Sequence, residues 1–383
     1  MSKIWYKILL FLYVFTGIFA DFIANDKPVI CLDANGRILT VWHKDYDMAY
    51  NRGCKALVYP LVHYSYKTID KDNASFVSPF GKQNLKPGQQ RHFLGTDKLG
   101  RDVLAGIIHG ANISLKTGVL SMLLALIFAL AMGLYPAYYG DDGVRLSAGR
   151  IIALVLWLAM AVYLLTYAGY WKYAGSGKVV LILVIWGLIL WFFKAILDRY
   201  VFKDKKIALP LDSMVTLFTK LFKSLPAILL VLVLVSMFAK PSIYNIILVI
   251  AIIQWPVLTR HIRAGVLDVK KELFIQSSKA LGLPDYIILW RHILPHILTP
   301  VLVALSFGFA GTILLESTLS FLGIGLPPGH VSWGTLLSEA RQNYAAWWLA
   351  VFPGLAIFIT IMLFKRQLLG QNFWNKNNPS TDV

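Results

Sequence analysis

Only two cysteines, Cys31 and Cys54, occur among 383 residues, and neither a zinc-site spacing nor a redox dithiol can be built from them. Acidic residues are also few: 20 Asp and Glu stand against 37 Lys and Arg. Charge of either sign makes up 15% of the chain, where a soluble domain carries about 25%. Paired acids, a nucleophile with a base, and a metal cluster at a recognisable spacing are all lacking. No catalytic residue, no metal and no cofactor site is therefore expected, and the chain reads as a protein without chemistry of its own.

Hydrocarbon is what the chain has in excess. Its residues are 57% hydrophobic with a mean hydropathy of +0.62, too apolar for a soluble fold. The net charge of +17 would suggest nucleic acid in a soluble protein. In a membrane protein it follows from Lys and Arg collecting in cytoplasmic loops, so no nucleic-acid partner is expected.

A bilayer core about 30 Å thick needs roughly 20 apolar residues in a helix. Eight stretches approach this: 4–23, 115–138, 151–170, 179–193, 225–238, 243–258, 297–315 and 345–364. The fifth is short, and the amphipathic run 211–223 is expected to extend it to the interface. With the N-terminus in the cytoplasm, about 19 short-loop Lys and Arg fall inside and about 4 outside. Both termini are therefore expected in the cytoplasm. The first run resembles a signal peptide, but Ile18 is bulky where a cleavage site favours a small residue. We read 1–23 as an uncleaved anchor.

Between the sixth and seventh spans lies 260–296, too charged to sit in lipid. At about 2.5–3.5 kcal/mol per central charge, burying its nine charges would cost on the order of 20 kcal/mol or more. Leu273, Ser277, Ala280 and Leu281 recur at helical spacings and make one narrow apolar face. Lys270, Lys271, Gln276 and Lys279 supply polar groups elsewhere. Gly282 is expected to end the helix in the left-handed conformation, with Pro284 preventing continuation and Asp285 capping the next helix. Small side chains at Ser277, Ser278 and Ala280 allow close approach by another surface. Such a helix suits a groove in a soluble partner. A solvated interfacial hairpin fits the same features equally well.

The same stretch resembles the EAA loop of permease subunits from binding-protein-dependent ATP-binding-cassette (ABC) importers. Gln276-Ser277-Ser278 stand where that family has Glu-Ala-Ala, followed by Lys279-Ala280-Leu281, Gly282, and His292-Ile293-Leu294-Pro295. The glycine and proline keep their spacing; the acid has become an amide and both alanines serines. A cation pairing made through that acid does not carry over. HFLGTDKLGRDVLAGIIHGANISL (92–115), LLESTLSFLGIGLPPGHVSWGTLLSEAR (314–341) and WWLAVFPGLAIFITIMLF (347–364) are similar to further segments of dipeptide and oligopeptide permeases. On these residues the chain is identified as a member of the dipeptide/oligopeptide/nickel permease family, as the second of its two unlike permease subunits.

The resemblance implies an all-α polytopic protein of the bacterial inner membrane with about eight transmembrane helices. Six form the core, and 141–210 is an inserted two-helix hairpin that preserves downstream orientation. The implied division is an anchor (1–23), an extracytoplasmic segment (24–114), a transmembrane helix (115–140), the hairpin (141–210), the core permease domain (211–366) with the coupling loop 260–296, and a cytoplasmic tail (367–383). Coupling to ATPases would fall on Glu272, Gln276, Ser277, Ser278, Lys279, Ala280, Leu281, Gly282, Pro284 and Asp285. Implied partners are a sister permease subunit, two cytoplasmic ABC ATPase subunits, an extracytoplasmic substrate-binding protein and membrane lipid. The cargo implied is di- or oligopeptides.

Several features invite other readings. Asp97, Arg101 and Asp102 in GTDKLGRD resemble an acid/base cluster, but read better as a capped, salt-bridged helix start with turns at Gly95 and Gly100. AGSGKVV (174–180) lacks the first glycine and the hydroxyl of a phosphate loop. Glu316 is expected at an interfacial helix end, and His92, His292 and His296 in structural roles. The long segment 24–91 is expected to fold, with Cys31 and Cys54 either bridged or free. A secondary transporter working without an ATPase would need ionisable groups or broken helices at midplane, which these spans hardly offer.

Overall fold

Apolar runs wind into helices because lipid offers the backbone no other hydrogen-bond partners. The computed structural model describes residues 3–32, 38–40, 55–87, 89–147, 206–238, 240–327 and 329–376, with isolated positions between 149 and 191. Helix α1 (Lys3–Ile18) and the short α2 (Ala20–Ile23) lead to a small antiparallel sheet. Its strands are β1 (Ile30–Leu32), β2 (Ile38–Thr40) and β3 (Lys55–Val58), in the order β2-β1-β3. After a largely irregular stretch come α3 (Val103–Tyr139), β4 (Arg145–Ser147) and β5 (Lys206–Ala208). Then follow α4 (Leu211–Ser224), α5 (Ala227–Ser236), α6 (Ile243–Val269), α7 (Leu273–Ala280), α8 (Asp285–Phe321), α9 (Trp333–Ala340) and α10 (Trp348–Lys376). Helix α8 opens with a π-helical stretch, Ile288–Ile293.

Among the described residues four helices are long and apolar enough to cross a membrane: α3, α6, α8 and the Trp348–Lys365 part of α10. A fifth is added if α4 and α5 count as one. Helix α1, with 16 residues, rises only about 24 Å, short of a full hydrocarbon core. The expected spans 151–170 and 179–193 lie largely outside the described residues, as do Cys54 and the stretch 174–180. The antiparallel pair β4–β5 lies at the two ends of 141–210, the segment expected to be an inserted hairpin, with Ser147 opposite Lys206.

Two expectations about helix extent are corrected. The second apolar helix begins at Val103 rather than near residue 115. Its first turns hold His109, Asn112 and Ser114, which lower the local hydropathy but face protein. His109 Nε2 donates to the Ala24 carbonyl at 2.8 Å, and Asn112 Nδ2 to the Gly17 carbonyl at 2.5 Å. The amphipathic 211–223 does not extend α5: the two helices meet at 92°. Leu225 takes the extended conformation imposed on a residue before proline, and Pro226 then starts α5. Glu316 faces protein rather than solvent. It is wholly buried near the end of α8, where its carboxylate accepts from Ser320 Oγ at 2.8 Å and lies by Ser317.

Helix α3 is the axis of the bundle, packing along α6 and α8. At its N-terminal end Asp102 caps the helix, accepting from the Ala105 N–H at 2.7 Å. The segment 59–102 and α9 gather around this end. Arg101 bridges Asp97 and Glu339, both at 2.5 Å; the Trp348 and Trp333 indoles donate to the carbonyls of Thr96 and Ile107. This is the salt-bridged helix start expected from GTDKLGRD, with Gly95 and Gly100 at φ +80° and +85°. At the other end of α3 lie α7, α4 and the β4–β5 pair. Asp141 accepts from the N–H and Oγ of Ser213, at 2.9 and 2.5 Å. The molecule therefore has two chemically distinct ends.

His92 is structural, as expected. Its buried ring lies between Asp102 (Nδ1 at 2.8 Å) and Asp70 (Nε2 at 3.3 Å) and stacks on Tyr64. Burial opposes the charged ring, but the hydrogen bonds and charges of Asp102, then Asp70, outweigh it, so His92 titrates above an ordinary histidine. Burial likewise opposes the Asp70 charge, and hydrogen bonds from Asn73 and His92 outweigh it, holding Asp70 low. A raised histidine stabilises the fold below its unfolded value and loses this as pH rises through the folded one; a lowered aspartate stabilises it above its unfolded value. Both contributions are complete between about pH 4 and 6.5. Thermal melting should thus fall from pH 6 to pH 8.5, and His92→Gln should flatten this dependence; an unchanged slope would refute the assignment.

Candidate functional site

Helix α7 is a short, polar element between two long apolar helices. The chain leaves α6 at Lys270, whose N–H closes the last turn on Val266, and turns through Lys271. Glu272 takes an extended conformation as N-cap, without a side-chain cap bond. Eight residues later the helix stops in a Schellman motif. The Gly282 N–H donates to the Lys279 carbonyl at 3.0 Å and the Leu283 N–H to the Ser278 carbonyl at 3.2 Å. Gly282 has φ +74°, where a side chain would be strained, so the expected stop is where it was read.

One face of α7 roots it in the protein. Ile275 is fully buried and Ser278 is 8% exposed, while Phe274 stacks on His296 at 4.8 Å. The opposite face is bare: Leu273 is 78% exposed and Leu281 80%, with Ser277 and Ala280 exposed between them. Ser278, expected on the open face, is thus on the rooted one. Both serine hydroxyls turn back into the helix, Ser277 Oγ to the Leu273 carbonyl (2.9 Å) and Ser278 Oγ to the Phe274 carbonyl (2.7 Å). Satisfied in this way, each serine presents a surface close to that of alanine. Gln276 is exposed, and its amide donates to the Lys271 carbonyl at 3.0 Å.

Asp285 does not cap the following helix. Pro284 is the N-cap, without a side-chain bond, and Asp285 is already helical. Its carboxylate instead accepts from the hydroxyl of Tyr138, on the last turn of α3, at 2.6 Å. Tyr138 is the hub of the site. Its carbonyl accepts from Lys270 Nζ, and its ring lies 4.7 Å from Lys279 Nζ and 5.7 Å from Lys270 Nζ. Burial, and then the charge of Lys279, push the Lys270 ammonium below its usual value. One turn away the Trp290 indole donates to the Tyr135 hydroxyl at 3.3 Å. Both ends of the loop around α7 are thereby fastened to the end of α3.

Sequence reasoning assigned Tyr138 only to the end of a span. The signal was present: Tyr135, Tyr138 and Tyr139 cluster before Gly140, and aromatic residues gather where a helix leaves the bilayer. An opening of about 600 Å³ lies between α6 and α8, lined by Gln254, His261, Thr299, Phe307 and their neighbours. Among the described residues no group of three or more His, Cys, Asp or Glu is placed to hold a metal.

Comparison with known proteins adds a family. The family described as binding-protein-dependent transport system inner membrane component matches residues 207–369. The chain is 28% identical over 293 residues to a dipeptide transport system permease protein of Alkalihalophilus pseudofirmus, covering 76% of this chain and 74% of that one. It is 28% identical over 317 residues to a putative peptide transport system permease protein of Brucella suis, at 82% and 81% coverage. With a glutathione transport system permease protein of Shigella boydii the identity is 27% over 364 residues, at 93% and 95% coverage.

Tyr138→Phe keeps the ring and removes the hydroxyl that Asp285 accepts from. A hydrogen bond to a charged group is worth about 1.5–3 kcal/mol. Amide hydrogen exchange in α7 should accelerate roughly tenfold or more in this variant. Exchange as slow as in the wild type would show that the hub does not hold the helix.

Proposed function

We propose that the chain is a permease subunit of an ABC importer, of the family of binding-protein-dependent transport system inner membrane components, and that α7 couples it to the ATPase subunits. The observation that carries this reading is the split between the two faces of α7. A helix of eight residues is rooted through Ile275 and Ser278, yet leaves Leu273, Ser277, Ala280 and Leu281 bare. An amphipathic helix with an open small-residue face suits a groove on a partner. Glu272, Gln276, Lys279, Gly282, Pro284 and Asp285 shape its ends and rim.

The mechanism follows from this geometry. Closure of two nucleotide-bound ATPases displaces α7 as a rigid piece. Asp285, Lys270 and Lys279 pass the displacement to Tyr138, and so to α3. Because α3 is packed along α6 and α8, these helices tilt together between inward-open and outward-open arrangements. ATP is hydrolysed on the partners, so this chain needs no nucleotide site.

The finer assignments belong to the same proposal. About eight spans place both termini, α4 and 260–296 in the cytoplasm, where the positive-inside rule puts the basic loops. Residues 24–102 and α9 then face outward, where a substrate-binding protein delivers its load. A sister permease completes the pathway, 141–210 is an added hairpin, and 211–366 is the core. Peptides are the proposed cargo, in line with the relatives' names.

A cysteine at Ser277 should cross-link to an ATPase subunit in inverted membrane vesicles, and a cysteine at Ser278 should not. No adduct from Ser277→Cys in a well-inserted protein would count against docking. Gly282→Val forces a β-branched residue into the left-handed region, at about 1–2 kcal/mol. Peptide uptake should fall at least tenfold while ATP hydrolysis by the assembly persists; undiminished uptake would sink the lever mechanism.

A further inference from the structure

The two ends of α9 are held by different chemistry. At the N-terminal end Ser332 and Thr335 close a capping box, and the Trp333 indole donates to the Ile107 carbonyl at 2.9 Å. Gly334 packs so tightly on α8 that the Ser317 carbonyl leaves no room for a Cβ. At the C-terminal end α9 meets the segment 59–102 through Arg101. Its guanidinium donates from Nε to Asp97 and from Nη2 to Glu339, each at 2.5 Å.

Two carboxylates thus share one cation. Asp97 is fully engaged, since its Oδ1 also accepts from the N–H groups of Leu99 and Arg101 at 2.8 and 2.9 Å. Glu339 is not: Oε1 accepts from Arg101, while Oε2 is buried without a hydrogen-bond partner among the described residues. A bare buried carboxylate oxygen is costly, whereas a protonated one brings its own donor, and Asp97 is the acceptor beside it. Burial, then the charge of Asp97, push the Glu339 carboxyl up to about 7 against the pull of Arg101. The other charged groups near α9 are turned elsewhere. Arg341 lies over the Phe321 ring of α8, and Asp102 is taken up by His92 and the Ala105 N–H. On α3, His109 faces the Ala24 carbonyl; Lys98 and Lys116 are exposed. Glu316 of α8 faces Ser332, at the far end of α9, and 348–364 of α10 contains no titratable side chain.

We propose that Asp97 and Glu339 form a proton-operated latch: with a proton from solvent on Oε2, Glu339 donates to Asp97 and fastens the C-terminal half of α9 to the segment 59–102, and without it that half is released. Once the proton is lost, two carboxylates face each other across a single guanidinium. The sign follows from linkage. Fastened, Glu339 keeps its proton up to about pH 7; released, it loses the proton near the ordinary carboxyl value of 4.5. The fastened state is therefore strongest below that ordinary value, weakens up to about tenfold per pH unit above it, and stops weakening beyond about pH 7. The latch goes beyond the transport reading and does not depend on it. In the orientation proposed above, the pH that works it is the one outside the cell.

The test is amide hydrogen exchange at residues 336–341 in the full-length chain, purified with its transport partners into nanodiscs. It compares about pH 5 with about pH 6.5, after scaling for the intrinsic exchange rate; the contributions of His92 and Asp70 are constant across this window. Exchange should be roughly tenfold faster at the higher pH. Glu339→Gln, whose amide can donate to Asp97 at either pH, should keep the slow exchange at both. Equal exchange by the wild type at the two pH values overturns the proposal, whether or not the variant inserts. A Glu339→Gln protein that still shows the acceleration also overturns it. So does an acceleration spread evenly over α3, α6 and α8, which would be a general loosening and not the opening of a latch.

Discussion

The structure depends on how closely α3 approaches α6 and α8. In lipid no hydrophobic force draws one helix to another, because the surrounding chains are as apolar as leucine. Association must come from van der Waals contact, and contact needs small residues. Gly118 admits the Phe309 ring, where a Cβ would lie 2.5 Å from it, and Gly133 admits Ile262 and the Thr259 carbonyl, each about 3.0 Å from such a Cβ. These two contacts lie on α3 four turns apart and clamp it against both neighbours. A helix held so tightly along its length moves as one body with them.

That rigidity gives the ends of α3 their meaning. At one end a cap, a charged bridge and two indole hydrogen bonds bind the irregular segment and α9 to the helix. At the other, a single tyrosine collects an aspartate and two lysines from the segment around α7. An isolated helix of eight residues would not persist in water, so α7 owes its shape to its surroundings. Ile275 and Ser278 root it, the Schellman turn stops it, and Tyr138 ties it down. A lever of this kind works because it is short and stiff, while its free face stays available to a partner.

The polar habits of the chain follow from the same economy of charge. Among the described residues several buried or half-buried charges are paired: His92 with Asp70 and Asp102, Arg101 with Asp97 and Glu339, Arg263 with Asp212. Burial, then the charge of Asp97, push Glu339 up to about 7 despite its bond to Arg101, a measure of how dry that junction is.

The sequence by itself determined the membrane class, the apolar runs, the stop at Gly282, and the capped helix start around Asp97, Arg101 and Asp102. Each of these rests on transfer free energy or on hydrogen bonds within a few residues, and both are local quantities. Only the tertiary structure decided that α3 begins at Val103, that α4 turns away from α5, that Ser278 faces inward, and that Glu316 is enclosed. It alone joined Asp285 to Tyr138, 147 residues away. Periodicity defines which side chains share a face of a helix, but not what that face meets. That is decided by which distant helices approach closely enough to touch it.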